Sequence, residues 1–196
     1  MTQRTLHLPV TEQEVRELGI GDLVYIEGII YTSRDMGHLR MKGILEDGRT
    51  LPVDLAGMAI FHAGPVVKRV GENNWQLLVI GPTTSMRMEP YADMVANLGV
   101  RVIIGKGGMG EKTCEALKKY GGVYLQAAPG CAVKLAEGIE SIKGVEWLDL
   151  GVPEALWMLK ARKFGPCVVA MDSHGQSIYR DLKERAYKIL DEIYPK

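Results

Sequence analysis

"VRVIIGKGGMGEKTCEALKKYGGVYLQA", residues 100–127, decides how the chain is to be read. An apolar run ends in four glycines within six residues, an amphipathic run follows, and a second apolar run closes the unit. The stretch therefore predicts strand, tight turn, helix and strand. Working outward, the same alternation holds from Glu89 to the C-terminus. Helices are predicted in "EPYADMVANLG" (89–99), "EKTCEALKKYG" (111–121), "PEALWMLKARKFG" (153–165) and "SIYRDLKERAYKILDEIY" (177–194). Strands are predicted in "VRVII", "GVYLQA", "VEWLDL" (145–150) and "CVVAMD" (167–172). In the last helix Ile178, Leu182, Ala186, Ile189, Leu190 and Ile193 fall on one stripe, which reads as a face turned to the core.

Before Glu89 the pattern is different. "DLVYIEGIIYTS" (22–33), "RTLPVDL" (49–55), "GPVVKRV" (64–70) and "WQLLVIG" (75–81) are rich in Val, Ile and Tyr and separated by turn residues, so this half is expected to be mostly sheet. No repeat, low-complexity tract or linker divides the halves. The expectation is a single α/β domain over residues 1–196, with a β-rich N-terminal half, an alternating β/α C-terminal half and a layered arrangement of sheet, sheet and helix.

Composition narrows the function. The 24 basic and 24 acidic residues cancel, with no long run of one sign, which argues against a nucleic-acid partner. Apolar residues make up 46% of the chain, too many for disorder. No apolar run approaches membrane-spanning length and the N-terminus lacks a signal-peptide core, so a cytoplasmic protein without membrane contact is expected. Cys114, Cys131 and Cys167 are odd in number and widely spaced, which suggests neither a disulfide framework nor a zinc site.

Three segments could carry chemistry. The first is the glycine loop, where Gly105-x-Gly107-x-x-Gly110 matches the dinucleotide fingerprint in form. A nicotinamide site also needs an acidic residue about 20 positions on, and the next strand ends in Gln126 instead. A P-loop places its lysine after the glycines, whereas Lys106 precedes them. What remains is either a nest of backbone donors with one ammonium, suited to a small carboxylate, or a plain turn with a solvated lysine. The second segment is "GPTTSMRMEPY" (81–91), in which Thr83, Thr84 and Ser85 read as helix caps. Arg87 does not, because a cation at a helix N-terminus opposes the macrodipole; a bound carboxylate would compensate it. The third is "YTSRDMGHLRM" (31–41), with Arg34, Asp35, His38 and Arg40 after a strand end. Arg34 with Asp35 is a surface pair or a ligand site, and His38 a hydrogen-bonded structural group or a ligand. Arg34, Arg87 and Lys106 at three strand ends together suit a dicarboxylate.

At these residues the chain resembles the β subunit, or C-terminal domain, of the class I iron–sulfur fumarases and the related L-tartrate dehydratases. The segments that carry the resemblance are "YTSRDMGH", "GPTTSMRM", "GKGGMGEKT", "GGVYLQAAPGCAV" and "EWLDLGVPEALW", in that order over nearly the whole sequence. The resemblance implies a swivelling β/β/α three-layer domain and a hydro-lyase active only with an α subunit, the pair doubled into a heterotetramer. It further implies a four-iron four-sulfur cluster in that α subunit, with no cofactor or metal held by this chain. By motif, the substrate-binding residues fall on Arg34, Arg87 and Lys106 and the proposed general base on Thr83, with Asp35, His38, Thr84 and Gly107 in support. A threonine hydroxyl is a poor base at neutral pH and needs a neighbouring charge to shift its proton affinity. The reaction implied is reversible hydration of fumarate to malate, with tartrate dehydration as the alternative; a nicotinamide-binding domain and a docking module without catalysis are the competing classes.

Overall fold

A computed structural model describes residues 2–72 and 74–194; Met1, Asn73, Pro195 and Lys196 lie outside the described residues. The first half holds β1 (Gln3–His7), α1 (Glu12–Arg16), β2 (Leu23–Thr32), α2 (Asp35–Glu46), β3 (Ala59–Phe61), β4 (Ala63–Arg69) and β5 (Trp75–Pro82). A 3₁₀ turn (Ser85–Tyr91) leads into α3 (Ala92–Asn97), β6 (Val102–Gly105), α4 (Glu111–Tyr120) and β7 (Val123–Gln126). The chain ends with α5 (Ala132–Glu137), β8 (Ile139–Glu146), a 3₁₀ turn (Leu148–Leu150), β9 (Leu156–Met171) and α6 (Ile178–Ile193).

β2, β3, β6 and β7 lie side by side and parallel. β9 runs antiparallel to β7 at one end of this row and to β2 at the other, so the pairings close a ring. β1 extends β2, β8 extends β9, and β4 with β5 forms a separate hairpin sheet. Both halves of the sequence thus share one sheet.

Side chains alternate across the parallel row. Ala59, Phe61, Val102, Ile104, Val123 and Leu125 enter one core, with Ile26, Ile30, Trp157, Leu159 and Phe164 from β2 and β9. Ile60, Ile103 and Tyr124 point the other way, into a second core shared with Met41 of α2, Val95 of α3 and Leu117 of α4. Burial on both faces is why these strands read as unbroken apolar runs. The result is the expected α/β arrangement of three layers: antiparallel strands, parallel row, helices.

Several elements depart from the sequence reading, five of them with consequences for the fold. Within residues 153–165, expected as a helix, the chain from Leu156 onward enters β9 instead, because pairing with β2 and β8 overrides local helix propensity. "RTLPVDL" forms no strand; Leu51, Val53 and Leu55 do pack inward at period two, but no neighbouring strand pairs with them. α2 was not expected, since it buries only Gly37, His38 and Met41 and so shows no apolar stripe. "VEWLDL" is split between the end of β8 and a 3₁₀ turn.

The fifth difference is α6. It buries no residue, and Leu182, Ile189, Leu190 and Ile193 are about half exposed or more. Only its first turn, through Ile178 and Tyr179, packs on the second core. The expected core-facing stripe is therefore uncovered in this chain. Truncating Ile104, fully buried in β6, to alanine should cost about 2–5 kcal/mol, whereas Leu190→Ala and Ile193→Ala should each change stability by less than about 0.5 kcal/mol. Urea unfolding of the three variants measures the contrast.

Candidate functional site

The register of the parallel row sets the geometry of the site. Thr32 pairs with Phe61, Phe61 with Ile104, and Ile104 with Leu125, so the strands end at one level. The segments leaving those ends carry Arg34, His62 and Lys106, at the carboxyl edge where open parallel sheets bind ligands. The hairpin returns there too: Thr83 N–H donates to His62 C=O at 2.7 Å, and Thr84 forms a β-bridge with Lys106.

Arg87 lies beside Asp35. Its Nε donates to Oδ1 at 2.9 Å and its Nη2 to Oδ2 at 2.8 Å, while Nη2 also donates to Thr83 Oγ1 at 3.0 Å. The compensating carboxylate that Arg87 needs is thus supplied from within, 52 residues away. Burial acts to raise the Asp35 pKa, but the hydrogen bonds and charge of Arg87 prevail and hold the carboxyl below its ordinary range. Arg34 also has an acidic neighbour: its Nε lies 3.1 Å from Glu154 Oε1. That contact is an ion pair without hydrogen-bond alignment, since the Arg34 Nε has no hydrogen-bond partner. Glu154 Oε2 accepts the N–H of Met36 at 3.0 Å, tying the same carboxylate to the start of α2. Arg40, by contrast, turns away to a bidentate pair with Asp149 and takes no part.

The glycine loop is less open than its composition implies. Glu89 accepts Gly110 N–H at 2.7 Å and Thr113 N–H at 3.1 Å, so the N-terminus of α4 already holds a carboxylate of this chain. Gly107, at φ 78°, donates its N–H to Gln126 Oε1 at 3.1 Å. Of the two readings of this loop, a nest of free donors or a plain turn with a solvated lysine, the donors of the first are largely occupied by the protein itself. Half-buried Lys106 joins no ion pair among the described residues and remains the loop's cationic feature. Nor do the hydroxyls act as caps. Exposed Thr84 heads the 3₁₀ turn without a side-chain cap bond, Thr83 accepts from Arg87, and Ser85 turns inward.

His38 is fully buried. Its Nδ1 lies 2.8 Å from Arg34 C=O and 2.9 Å from Ser33 Oγ; a carbonyl only accepts, so Nδ1 carries the proton, and the buried Nε2 is left without a hydrogen-bond partner. His62, edge-on to it at 5.2 Å between centroids, meets Ser85 Oγ through Nδ1 at 2.9 Å. Burial pushes the His38 pKa down to about 4 and that of His62 well below the usual range.

A metal centre finds no ligands here. Among the described residues no group of three or more His, Cys, Asp or Glu could hold an ion. Cys114 and Cys167 are buried thiols pushed up by desolvation, Cys167 to about 12, and Cys131 lies exposed at the start of α5. An iron–sulfur cluster does not fit this set.

Sequence reasoning missed Glu154, His62, Ser85, Tyr124 and Gln126 as parts of the site's surroundings. Glu154 and Gln126 stand inside segments that carried the family resemblance, "EWLDLGVPEALW" and "GGVYLQAAPGCAV", and an acid without an assigned role was the available signal for Glu154.

The fold and its strand-end cluster define an α/β domain that gathers cations at the carboxyl edge of a parallel sheet. A family model described as Fumarase C-terminus matches residues 2–182, and the chain belongs to that family. "Putative fumarate hydratase class I" of Geobacillus stearothermophilus is 46% identical over 190 residues, 96% of this chain but 36% of that protein. "Putative L(+)-tartrate dehydratase subunit beta" of Methanocaldococcus jannaschii is 43% identical, covering 94% of this chain and 95% of its own. "L(+)-tartrate dehydratase subunit beta" of Escherichia coli is 38% identical, covering 97% and 96%. The chain thus spans about a third of the first relative and nearly all of the other two. No helix among the described residues is long and apolar enough to cross a membrane.

The buried histidines give a stability test. With the folded pKa of His38 near 4 and its unfolded value near 6.5, the unfolded chain binds more protons between those limits. Stability is therefore whole above about pH 6.5 and falls as pH drops toward 4. From pH 7 to pH 5 His38 alone should remove about 2 kcal/mol, with His62 adding in the same direction. Carboxylates held low, such as Asp22 at about 2, lose their contribution only at lower pH. Equal urea midpoints at pH 7 and 5 would contradict the buried neutral rings.

Proposed function

We propose that this chain is the β subunit of a hydro-lyase that hydrates fumarate reversibly to (S)-malate, at a site completed by an α subunit. The observation that carries the reading is the run of contacts joining Glu154, Arg34, Asp35, Arg87 and Thr83, with Lys106 bridged to Thr84 beside it. The chain supplies three cations against two carboxylates, and the side-on pairing of Arg87 through Nε and Nη2 leaves its Nη1 for a ligand. Partly exposed pairs of this kind contribute little stability, so a substrate carboxylate can join or displace them at small cost. Names containing "subunit beta" among relatives matched over nearly their full length support a separate partner.

In this reading Arg34 and Arg87 clamp one substrate carboxylate through their terminal N–H groups, and Lys106 adds the third positive charge. When the proton leaves the carbon next to that carboxylate, negative charge builds on its oxygens, and the preset cations stabilise it. Thr83 Oγ1, its own proton first released to water, takes the proton as the alkoxide, which the hydrogen bond from Arg87 favours. Lewis-acid chemistry at the departing hydroxyl belongs to a four-iron four-sulfur cluster of the α subunit.

Tartrate is the second substrate reading, favoured by the match in length to two chains named for tartrate dehydratase. Assays of fumarate and L-tartrate with the subunits co-purified under anaerobic conditions separate the two. In that complex Arg87→Ala should lower kcat/KM a hundredfold or more, about 3 kcal/mol of transition-state stabilisation, while the exposed side chain's loss leaves unfolding nearly unchanged. Full turnover by the variant would overturn the assignment.

A further inference from the structure

Beneath the strand ends lies a set of polar groups that touch no exposed surface. Ser85, His62 and Tyr124 are 0–1% exposed. Tyr124 OH donates to Ser85 Oγ at 3.0 Å, and Ser85 Oγ lies 2.9 Å from His62 Nδ1. With Tyr124 donating, the seryl hydroxyl is free to donate to Nδ1, so both contacts on Ser85 Oγ run from a donor to an acceptor. Tyr124 continues the row of Ile60 and Ile103, whose side chains are wholly apolar, so its hydroxyl is an exception within that face. Gly105 completes the arrangement: a Cβ there would stand 1.8 Å from Ser85 Oγ, so only glycine leaves room for that oxygen.

The same residues hold the backbone of the site. Ser85 N–H donates to Lys106 C=O at 3.1 Å, Thr83 N–H to His62 C=O at 2.7 Å, and His62 N–H to Ile104 C=O at 2.8 Å. The segment with Thr83 and Arg87 is thus stitched between the ends of β3 and β6, with Ser85 Oγ at the crossing. Buried polar groups of this kind cost stability unless fully paired, and when paired they define one geometry. A serine, a histidine and a tyrosine converging on one oxygen serve packing less well than apolar residues of the same volume would.

We infer that Ser85, His62 and Tyr124 are positioning residues that fix Thr83 and Lys106 relative to one another, a role that rests on the hydro-lyase reading for its catalytic consequence. They touch no substrate; they act through the backbone of the two loops that do. An error of about 1 Å in such a constellation is enough to lower a rate by two orders of magnitude.

Two readouts test this. In the isolated full chain, amide hydrogen exchange over residues 83–87 and 105–108 should quicken at least tenfold in Ser85→Ala and in Tyr124→Phe, which loses only an oxygen. Unchanged exchange in Tyr124→Phe would overturn the inference whatever reaction the protein catalyses. In the complex with the α subunit, both variants should lower kcat about tenfold or more per folded site, with a smaller change in KM. His62→Asn, whose amide reaches the Nδ1 position, should stay within about threefold of the parent, whereas His62→Gln should fall with Ser85→Ala. A role in stability alone would leave kcat per folded site unchanged and the two histidine variants alike. Normal kcat in Tyr124→Phe beside an inactive Arg87→Ala sinks the positioning role and spares the hydro-lyase reading; an active Arg87→Ala sinks that reading instead.

Discussion

β2 pairs antiparallel with β9 from Leu23 to Tyr31, and this contact closes the sheet on itself. β2 is also the first strand of the parallel row, and β9 returns to β7 at the row's far end. With the ring closed, β3 and β6 have neighbours on both edges and no freedom to slip, because a shift of one residue would turn Phe61 and Ile104 out of the core. The level at which Thr32, Phe61 and Ile104 stand is therefore fixed, and with it the level at which Arg34, His62 and Lys106 leave the sheet. The meeting of three distant loops is a consequence of register.

Electrostatics at that edge are balanced within the chain. Arg87 and Arg34 each lie against a carboxylate, and Glu89 covers the start of α4. These anions orient the cations before any ligand arrives, so less ordering is left for binding to impose. A site made only of free cations would repel itself and leave long side chains mobile. Pairing Arg87 through Nε and Nη2 holds its guanidinium in place while Nη1 has no partner among the described residues. The buried histidines below are neutral for a related reason, since desolvation of an imidazolium there outweighs the opposing pull of Asp35 on His38.

Much of the site was legible residue by residue. Arg34, Asp35, Thr83, Arg87 and Lys106 stand in short segments whose residue types fit carboxylate binding, and the structure brings them into contact or adjacency. Their partners were not legible. Glu154 lies 120 residues from Arg34, and Asp35 reaches Arg87 across 52. Ser85 looked like a cap and Gly105 like one more turn glycine, because nothing local reveals that one's oxygen occupies the place of the other's missing side chain. The choice between a donor nest and a plain turn at the glycine loop was illegible for the same reason: Glu89 and Gln126, which take up its donors, come from other elements.

The amino-acid order by itself determined the strands β2, β6 and β7, whose apolar runs call for burial, and the helix α4 between β6 and β7. It also determined which residue types stand at the strand ends. Tertiary structure alone decided that the chain from Leu156 to Gly165 extends rather than coils, since two neighbouring strands, β2 and β8, offer more hydrogen bonds and apolar contact than an isolated helix could. It likewise decided that the stripe on α6 stays uncovered, because periodicity specifies a face but not what meets it. The pairing of each cation with its carboxylate was settled there too, for these attractions depend on distance in space, and that distance is set by the register of a closed sheet.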